Sequence, residues 1–302
     1  MPLETRLGMN RFVPVAALVV VTAIWGVTFV QIKDALELYP LFAFLAVRFA
    51  IAVAVLAVPA APRLRSLGRN GVVAGGALGV LLAAGYALQT AGLERTTVSA
   101  AGFVTGMYVV LTPVFGLVLF RFRPGASVWI GVALAIVGLA MLSGVSTGSV
   151  SGDLLVLAAA ALYALQIASM ERFAPRYDPL AFTAAQMTAA FFGFAVVAAA
   201  LGQIEAPSGA TVWGALLVTG IFASALGYLV QAWAQQRTSA ARTALIFALE
   251  PVFAGIFGYA LAGDRLGAVG WAGGAVILCG IAVAEPAAAA TLARLVRVRR
   301  SA

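Results

Sequence analysis

One twelve-residue phrase occurs twice in this chain. Gly85-Tyr-Ala-Leu-Gln-Thr-Ala-Gly-Leu-Glu-Arg-Thr96 returns 142 residues later as Gly227-Tyr-Leu-Val-Gln-Ala-Trp-Ala-Gln-Gln-Arg-Thr238, with Gly, Tyr, Gln, Arg and Thr in register. The echo spreads in both directions. Ser99-Ala-Ala101 answers Ser239-Ala-Ala241, and Pro113-Val-Phe115 answers Pro251-Val-Phe253. Trp25 answers Tyr163 and Thr28 answers Gln166, both at an offset of 138. A repeat of this length means one unit duplicated and fused, with copies over 12–143 and 153–285 and a junction over 144–152. It constrains the fold before any local motif does.

Composition says what the unit is made of. The chain is 63% hydrophobic and 10% charged, with a mean hydropathy of +1.04, so it has too little polar sequence to coat two soluble domains. A membrane-crossing helix needs about 20 apolar residues. The apolar runs, split at turn-like points, give ten spans: 12–32, 40–58, 71–92, 98–119, 126–143, 153–170, 179–201, 211–233, 241–262 and 267–285. Asn10 and Pro14 suit the opening of the first, and Pro59 to Pro62 reads as a polar link after the second. The first run is too long for a cleavable signal peptide and lacks its small-residue site. The fold class is therefore all-α and integral to the membrane. Because five spans per copy is an odd number, the second copy enters upside down, giving two inverted five-helix repeats.

A net charge of +8 invites a nucleic-acid reading, and the placement of the charges argues against it. With the N-terminus inside, fifteen of the 19 basic residues fall on inner segments, among them Arg63, Arg65, Arg69, Arg172, Arg176, Arg237 and the basic tail 286–302. Lys33, Arg95 and Arg265 fall outside, and Arg48 lies within a span. This is the positive-inside bias that orients membrane proteins. It predicts a bacterial inner (plasma) membrane protein with both termini cytoplasmic, lipid as its surroundings and no nucleic-acid partner.

The residues also resemble a family. Trp25-Gly26 in the first span, Arg48 in the second, Glu250-Pro251-Val-Phe253 in the ninth and Gly263-Asp264-Arg265-Leu266 after it are similar to the drug/metabolite transporter superfamily, EamA type, over residues 12–285. That family usually shows Gly-Glu where this chain has Gly263-Asp264. The first copy has Phe120-Arg-Phe-Arg123 in the corresponding region, with no acid. The resemblance implies export or exchange of a small metabolite without naming it.

Other chemistries lack their parts. Gly144-Val-Ser-Thr-Gly148 matches a nucleophile elbow, but the chain has no histidine, so a Ser-His-Asp triad cannot be built. The single lysine, Lys33, sits in no phosphate-binding loop. Zero His and one Cys leave no transition-metal cluster. No enzyme, metal or cofactor is expected. Cys279 reads as a small core side chain.

Polar residues inside spans are costly in hydrocarbon and so informative. Ala101, Thr105, Tyr108 and Thr112 share one helix face, as do Thr243, Phe247, Glu250 and Ala254. Tyr86 and Gln89 are mirrored by Tyr228 and Gln231, and Trp25 and Thr28 by Tyr163 and Gln166. The expected substrate-binding set is Trp25, Thr28, Tyr86, Gln89, Thr105, Tyr108, Tyr163, Gln166, Tyr228, Gln231, Phe247 and Glu250, the alternative being hydrogen bonds between helices without substrate contact. Glu250 is also the candidate coupling residue. Arg48 is either a structural partner or an anion ligand. Gly131, Gly138, Gly270, Gly273, Gly274 and Gly280 in the fifth and tenth spans suit close helix approach, as scaffold or as a protein contact. The resulting reading is a secondary active transporter for a small amphipathic metabolite, amino acid or drug-like compound, exporting by alternating access and proton-coupled through Glu250, as monomer or homodimer. A passive channel or a lipid-translocating protein is the competing reading.

Overall fold

The computed structural model describes residues 3–96, 98–143, 149–261 and 267–284. The tail 286–302, the elbow-like Gly144 to Gly148 and the loop holding Gly263, Asp264 and Arg265 lie outside the described residues.

Helices occupy every expected span. The first copy contains α1 (Leu3–Leu36), α2 (Leu41–Ala60), α3 (Leu64–Leu93), the pair α4 (Val98–Gly106) and α5 (Tyr108–Phe120), and α6 (Ala126–Ser143). The second contains α7 (Val150–Phe173), α8 (Pro179–Ala200), α9 (Ala210–Leu217) and α10 (Gly227–Ala234) in one span, the pair α11 (Ala240–Phe247) and α12 (Glu250–Leu261), and α13 (Ala268–Ala284). Four described stretches are long and apolar enough to cross a membrane, and shorter apolar helices cover 12–28, 104–120, 126–141 and 268–284. Side chains such as Val118, Phe192, Val196 and Leu278 stay exposed on the outside of the bundle, as a lipid-facing surface requires.

Three details differ from the sequence expectation. α1 begins at Leu3, so Pro14 lies inside the helix and not at its opening. The link after the second span is helical, a 3-10 turn at Ala61–Arg63, and the chain bends instead at Gly68, whose φ of 57° an L-residue rarely adopts. Cys279 is exposed, not core. The cause is that α13 turns Gly273, Gly274, Ile277 and Gly280 inward, and one residue earlier than Gly280 is a different face of a helix.

Two spans are broken. Pro251 has no N–H to offer the preceding turn, and α11 ends at Phe247 before α12 restarts at Glu250. In the fourth span the break falls at Met107, upstream of Pro113.

The repeat in sequence is a pseudo-twofold in space. A methyl built on Gly131 would lie 2.6 Å from the Gly280 carbonyl oxygen, and one on Gly138 would lie 2.6 Å from that of Gly273. Exchanging the copies at an offset of 142 turns the first contact into the second. Likewise Gly85 packs on the Tyr163 ring and Gly227 on the Trp25 indole, and Gly79 packs on Gln186 and Ala189 where Gly220 packs on Arg48 and Ile51. The main interfaces, α6 with α13, α3 with α7 and α8, and α2 with α8, each join one copy to the other, whereas α2 and α3 barely touch. The copies are units of sequence but not separate packed bodies.

One asymmetry has a simple origin. Gly79 and Gly220 stand 141 residues apart, Gly85 and Gly227 stand 142 apart, so the second copy holds one extra residue between them. The segment absorbing it is Val218–Leu226, which joins α9 to α10 as π-helix. A wider i→i+5 turn is how a helix accommodates one additional residue.

Candidate functional site

Two apolar clusters flank the middle of the bundle, one built largely from α1, α5, α6, α7 and α11, the other from α2, α3, α8 and the span of α9 and α10. Trp25 and its twin Tyr163 pack against both. Between the clusters lies a cavity of about 850 Å³ of empty space, part of it open to solvent. All twelve expected residues line it, and so does Arg48. Thr112 and Thr243, on the same helix stripes, do not; both are fully buried, and Thr243 Oγ1 donates to the Ser239 carbonyl at 3.1 Å.

The aromatic wall is continuous. Trp25 lies 4.8 Å from Phe247 and 5.7 Å from Tyr228 between ring centroids, and Tyr86 lies 5.6 Å from Tyr163 and 6.5 Å from Tyr228. These are tilted and edge-on pairings, the arrangements aromatic quadrupoles favour. The π-helical segment helps to set them, since its Ala223 carbonyl accepts from Trp25 Nε1 at 2.9 Å.

The polar groups form three hydrogen-bonded sets. Arg48, 2% exposed, donates from Nε to Ser224 Oγ at 2.8 Å and from Nη2 to Tyr86 Oη at 3.2 Å. Its guanidinium carbon also sits 4.7 Å from the centre of the Tyr86 ring, a cation–π contact. Tyr228 Oη donates to Tyr86 Oη at 3.0 Å. Tyr163 Oη donates to Gln89 Oε1 at 2.9 Å, and Gln89 Nε2 to Thr105 Oγ1 at 3.1 Å. The third set is a buried amide chain. Gln235 donates to the Ile167 carbonyl, Gln231 donates to both Gln235 and Gln166, and Gln166 donates to Gln186, at 2.9 to 3.1 Å. Gln31 Oε1, Tyr108 Oη, Thr112 Oγ1, Gln231 Oε1 and Arg242 Nε are the buried side-chain polar atoms left without a hydrogen bond among the described residues. Tyr108 and Gln231 belong to the cavity wall. Glu250 lines it too and is half-buried.

The two ends of the cavity differ. Ile32, Thr90 and Leu93 extend its lining toward one end. Their twins Met170, Ala232 and Gln235 are at most 2% exposed. At that opposite end Gln236 Nε2 donates to the carbonyls of Ala174 and Tyr177, both at 3.1 Å, and Glu171 accepts from the Ala240 backbone N–H at 2.7 Å, while toward the first end Thr96 Oγ1 donates to Asp153 Oδ1 at 2.6 Å.

The sequence reading missed Ser224, Gln186 and Gln235. Gln186 carried a usable signal, because it stands 138 residues after Arg48. Ser224 carried none, since its place beside Arg48 depends on the π-helical segment. Among the described residues no cluster of potential metal ligands occurs.

Comparison with known proteins agrees with the two-copy fold. The sequence signature of the EamA-like transporter family matches twice, over residues 13–144 and 150–284. An uncharacterized transporter of Archaeoglobus fulgidus is 33% identical over 279 residues, covering 91% of this chain and 87% of that one. A protein of known crystal structure superposes with a TM-score of 0.76 at 19% identity, over 93% of this chain and 99% of its own. At that identity the likeness speaks for the fold.

Proposed function

The chain belongs to the EamA-like transporter family, and from that premise we propose that it is a secondary active transporter of the plasma membrane. It exports a small amphipathic compound, a metabolite, amino acid or drug-like molecule, by alternating access. Both termini lie in the cytoplasm. The observation that carries this reading is the mid-bundle cavity, lined by twinned residues of both copies.

Inverted repeats supply the second state. Each copy packs mainly against the other, so exchanging the two packing arrangements opens the end held by Gln235 and Gln236 and closes the one at Ile32 and Leu93. The twelve cavity residues hold the substrate in both states. Glu250 alternates between a proton and the substrate, and its twin Thr112 cannot do so, which leaves coupling to one copy. Pro251 beside it interrupts the helix.

Sealed vesicles containing the purified chain test the proposal. Wild type should concentrate a substrate when a pH gradient is imposed. Glu250→Gln should lose uphill accumulation and keep downhill exchange. Accumulation by the Gln variant would refute proton coupling. Flux in the wild type that never exceeds equilibration would refute active transport and favour a passive channel.

A further inference from the structure

Away from the cavity, the arginine-rich end of the bundle carries a cluster that transport leaves unused. α5 ends at Phe120, and the backbone N–H groups of Arg121 and Phe122 close back on the Leu117 and Gly116 carbonyls at 3.1 and 2.9 Å. That closure holds Arg121 at a φ of 58°, and among the described residues it is the one non-glycine residue with a positive φ. A Cβ makes this conformation costly, and glycine ordinarily takes it. The other copy has the glycine: at the offset of 142 that relates α6 to α13, Gly263 answers Arg121. The first copy therefore presents a guanidinium from a position where the backbone alone favours no side chain.

α7 brings another arginine to the same turn. The Arg172 guanidinium carbon lies 5.9 Å from the centre of the Phe120 ring, and Phe120 packs on Phe122 with ring centroids 5.8 Å apart. Arg123 follows directly. All three arginines are exposed, and among the described residues none of their guanidinium groups makes a hydrogen bond or an ion pair. The acids nearest Arg172 along the chain are engaged elsewhere. Glu171 accepts from the Ala240 N–H, and Asp178 accepts from the Leu180 and Ala181 N–H groups and pairs with Arg63.

The turn also borders a lipid-facing surface. Leu117, Val118 and Leu119 are exposed on α5 just before it, and Trp129 and Ile130 are exposed on α6 just after it. Exposed aliphatic side chains belong in hydrocarbon, and a tryptophan near the end of a span marks headgroup depth. Guanidinium groups at that depth meet lipid phosphates, which their planar fork fits. With no acid free to balance three cations, a lipid of net negative charge is favoured over a zwitterionic one.

We propose that Arg121, Arg123 and Arg172 bind the phosphate of one anionic phospholipid, whose acyl chains lie along Leu117, Val118 and Leu119. Phe120 is a positioning residue that holds Arg172 beside the α5 turn, so the lipid bridges α5 to α7. The site requires only the membrane-spanning fold and is independent of what the cavity carries.

Native mass spectrometry of the full chain in detergent tests the site, with phosphatidylglycerol and phosphatidylcholine of matched chains as probes. Wild type should retain one phosphatidylglycerol about tenfold more tightly than phosphatidylcholine. Arg121→Gln/Arg172→Gln should lose that preference. Arg65→Gln/Arg69→Gln removes the same charge from exposed positions at the same end and should keep it. Arg121→Gly relieves the positive φ, so it should stabilise the lipid-free chain and still weaken retention, which separates lipid binding from folding. A phosphatidylglycerol with a diazirine near its headgroup should label residues 117–123 in wild type and not in the Arg121→Gln/Arg172→Gln variant. Equal retention of both lipids by wild type, or equal loss in the two double variants, overturns the proposal. Inorganic phosphate that displaces the lipid as well as phosphatidylglycerol does would reveal a site for soluble phosphate and overturn it too.

Discussion

The glycine contact between α6 and α13 makes a quantitative prediction. A Cβ on Gly131 would sit 2.6 Å from the Gly280 carbonyl oxygen, and one on Gly280 would sit 2.7 Å from that of Gly131, where ordinary contact begins at 3.4 Å. Gly131→Ala therefore forces the helices apart by about 0.8 Å, or strains them by an equivalent amount. Overpacking of this kind costs about 1–3 kcal/mol, and the gain of up to about 1 kcal/mol in helix propensity on replacing glycine offsets part of it. The net loss is up to about 2 kcal/mol. Gly76 is the control: it is helical, and an added Cβ meets nothing within 4 Å, so Gly76→Ala should be neutral or stabilise by up to about 1 kcal/mol. The Gly131→Ala/Gly280→Ala double variant should cost less than the sum of the singles, because one separation relieves both methyls. Reversible unfolding in mixed detergent micelles measures all four proteins. Equal stability of Gly131→Ala and Gly76→Ala, or strict additivity in the double variant, would refute a close-packed pseudo-twofold contact. Because neither helix contributes to the cavity lining, binding by the folded fraction should be unchanged.

Four further predictions concern the helix ends and the loops beside them. Asp178 accepts from the backbone N–H groups of Leu180 and Ala181, both at 3.0 Å, so Asp178→Ala should cost about 0.5–2 kcal/mol in the same unfolding assay. Arg63→Ala should cost at most about 1 kcal/mol, because its 3.6 Å ion pair with Asp178 is half-exposed. Replacing Gln236 by Ala removes both bonds to the Ala174 and Tyr177 carbonyls, and it should raise the labelling rate of a cysteine at Met170, while unchanged labelling would show that this end is held shut by other contacts. In a Cys279→Ala background, cysteines at the exposed positions Arg65 and Arg172 should be protected from an impermeant reagent in intact cells, one at exposed Glu205 should react, and labelling at Arg65 in sealed cells would reverse the orientation.

Much of the architecture was legible before any coordinates, because hydrocarbon enforces simple rules. A span must be apolar and must satisfy its own backbone, which makes helices readable from length and composition. A polar side chain within a span must face something other than lipid, so the stripes holding Tyr86 and Gln89, or Tyr228 and Gln231, located the interior. The repeat supplied their pairing. The periodicity did not say where a stripe leaves the cavity: Thr112, one turn past Tyr108 in α5, and Thr243, one turn before Phe247 in α11, share their stripes with cavity residues yet are fully buried outside its lining.

What the sequence could not decide is how two copies of one unit divide their labour. Offsets pair residues along the chain, but contacts between copies depend on which helices interleave, and here nearly every main interface crosses from one copy to the other. One inserted residue, absorbed as π-helix over Val218–Leu226, brings Ser224 to Arg48 and the Ala223 carbonyl to Trp25. No local pattern announces that. The direction of the Gln235–Gln231–Gln166–Gln186 chain is fixed by a single carbonyl at Ile167, a partner 68 residues distant in sequence. Composition and period specify where polar groups must be sheltered; only packing across the pseudo-twofold specifies which of them spend their hydrogen bonds on one another and which keep one for the cavity.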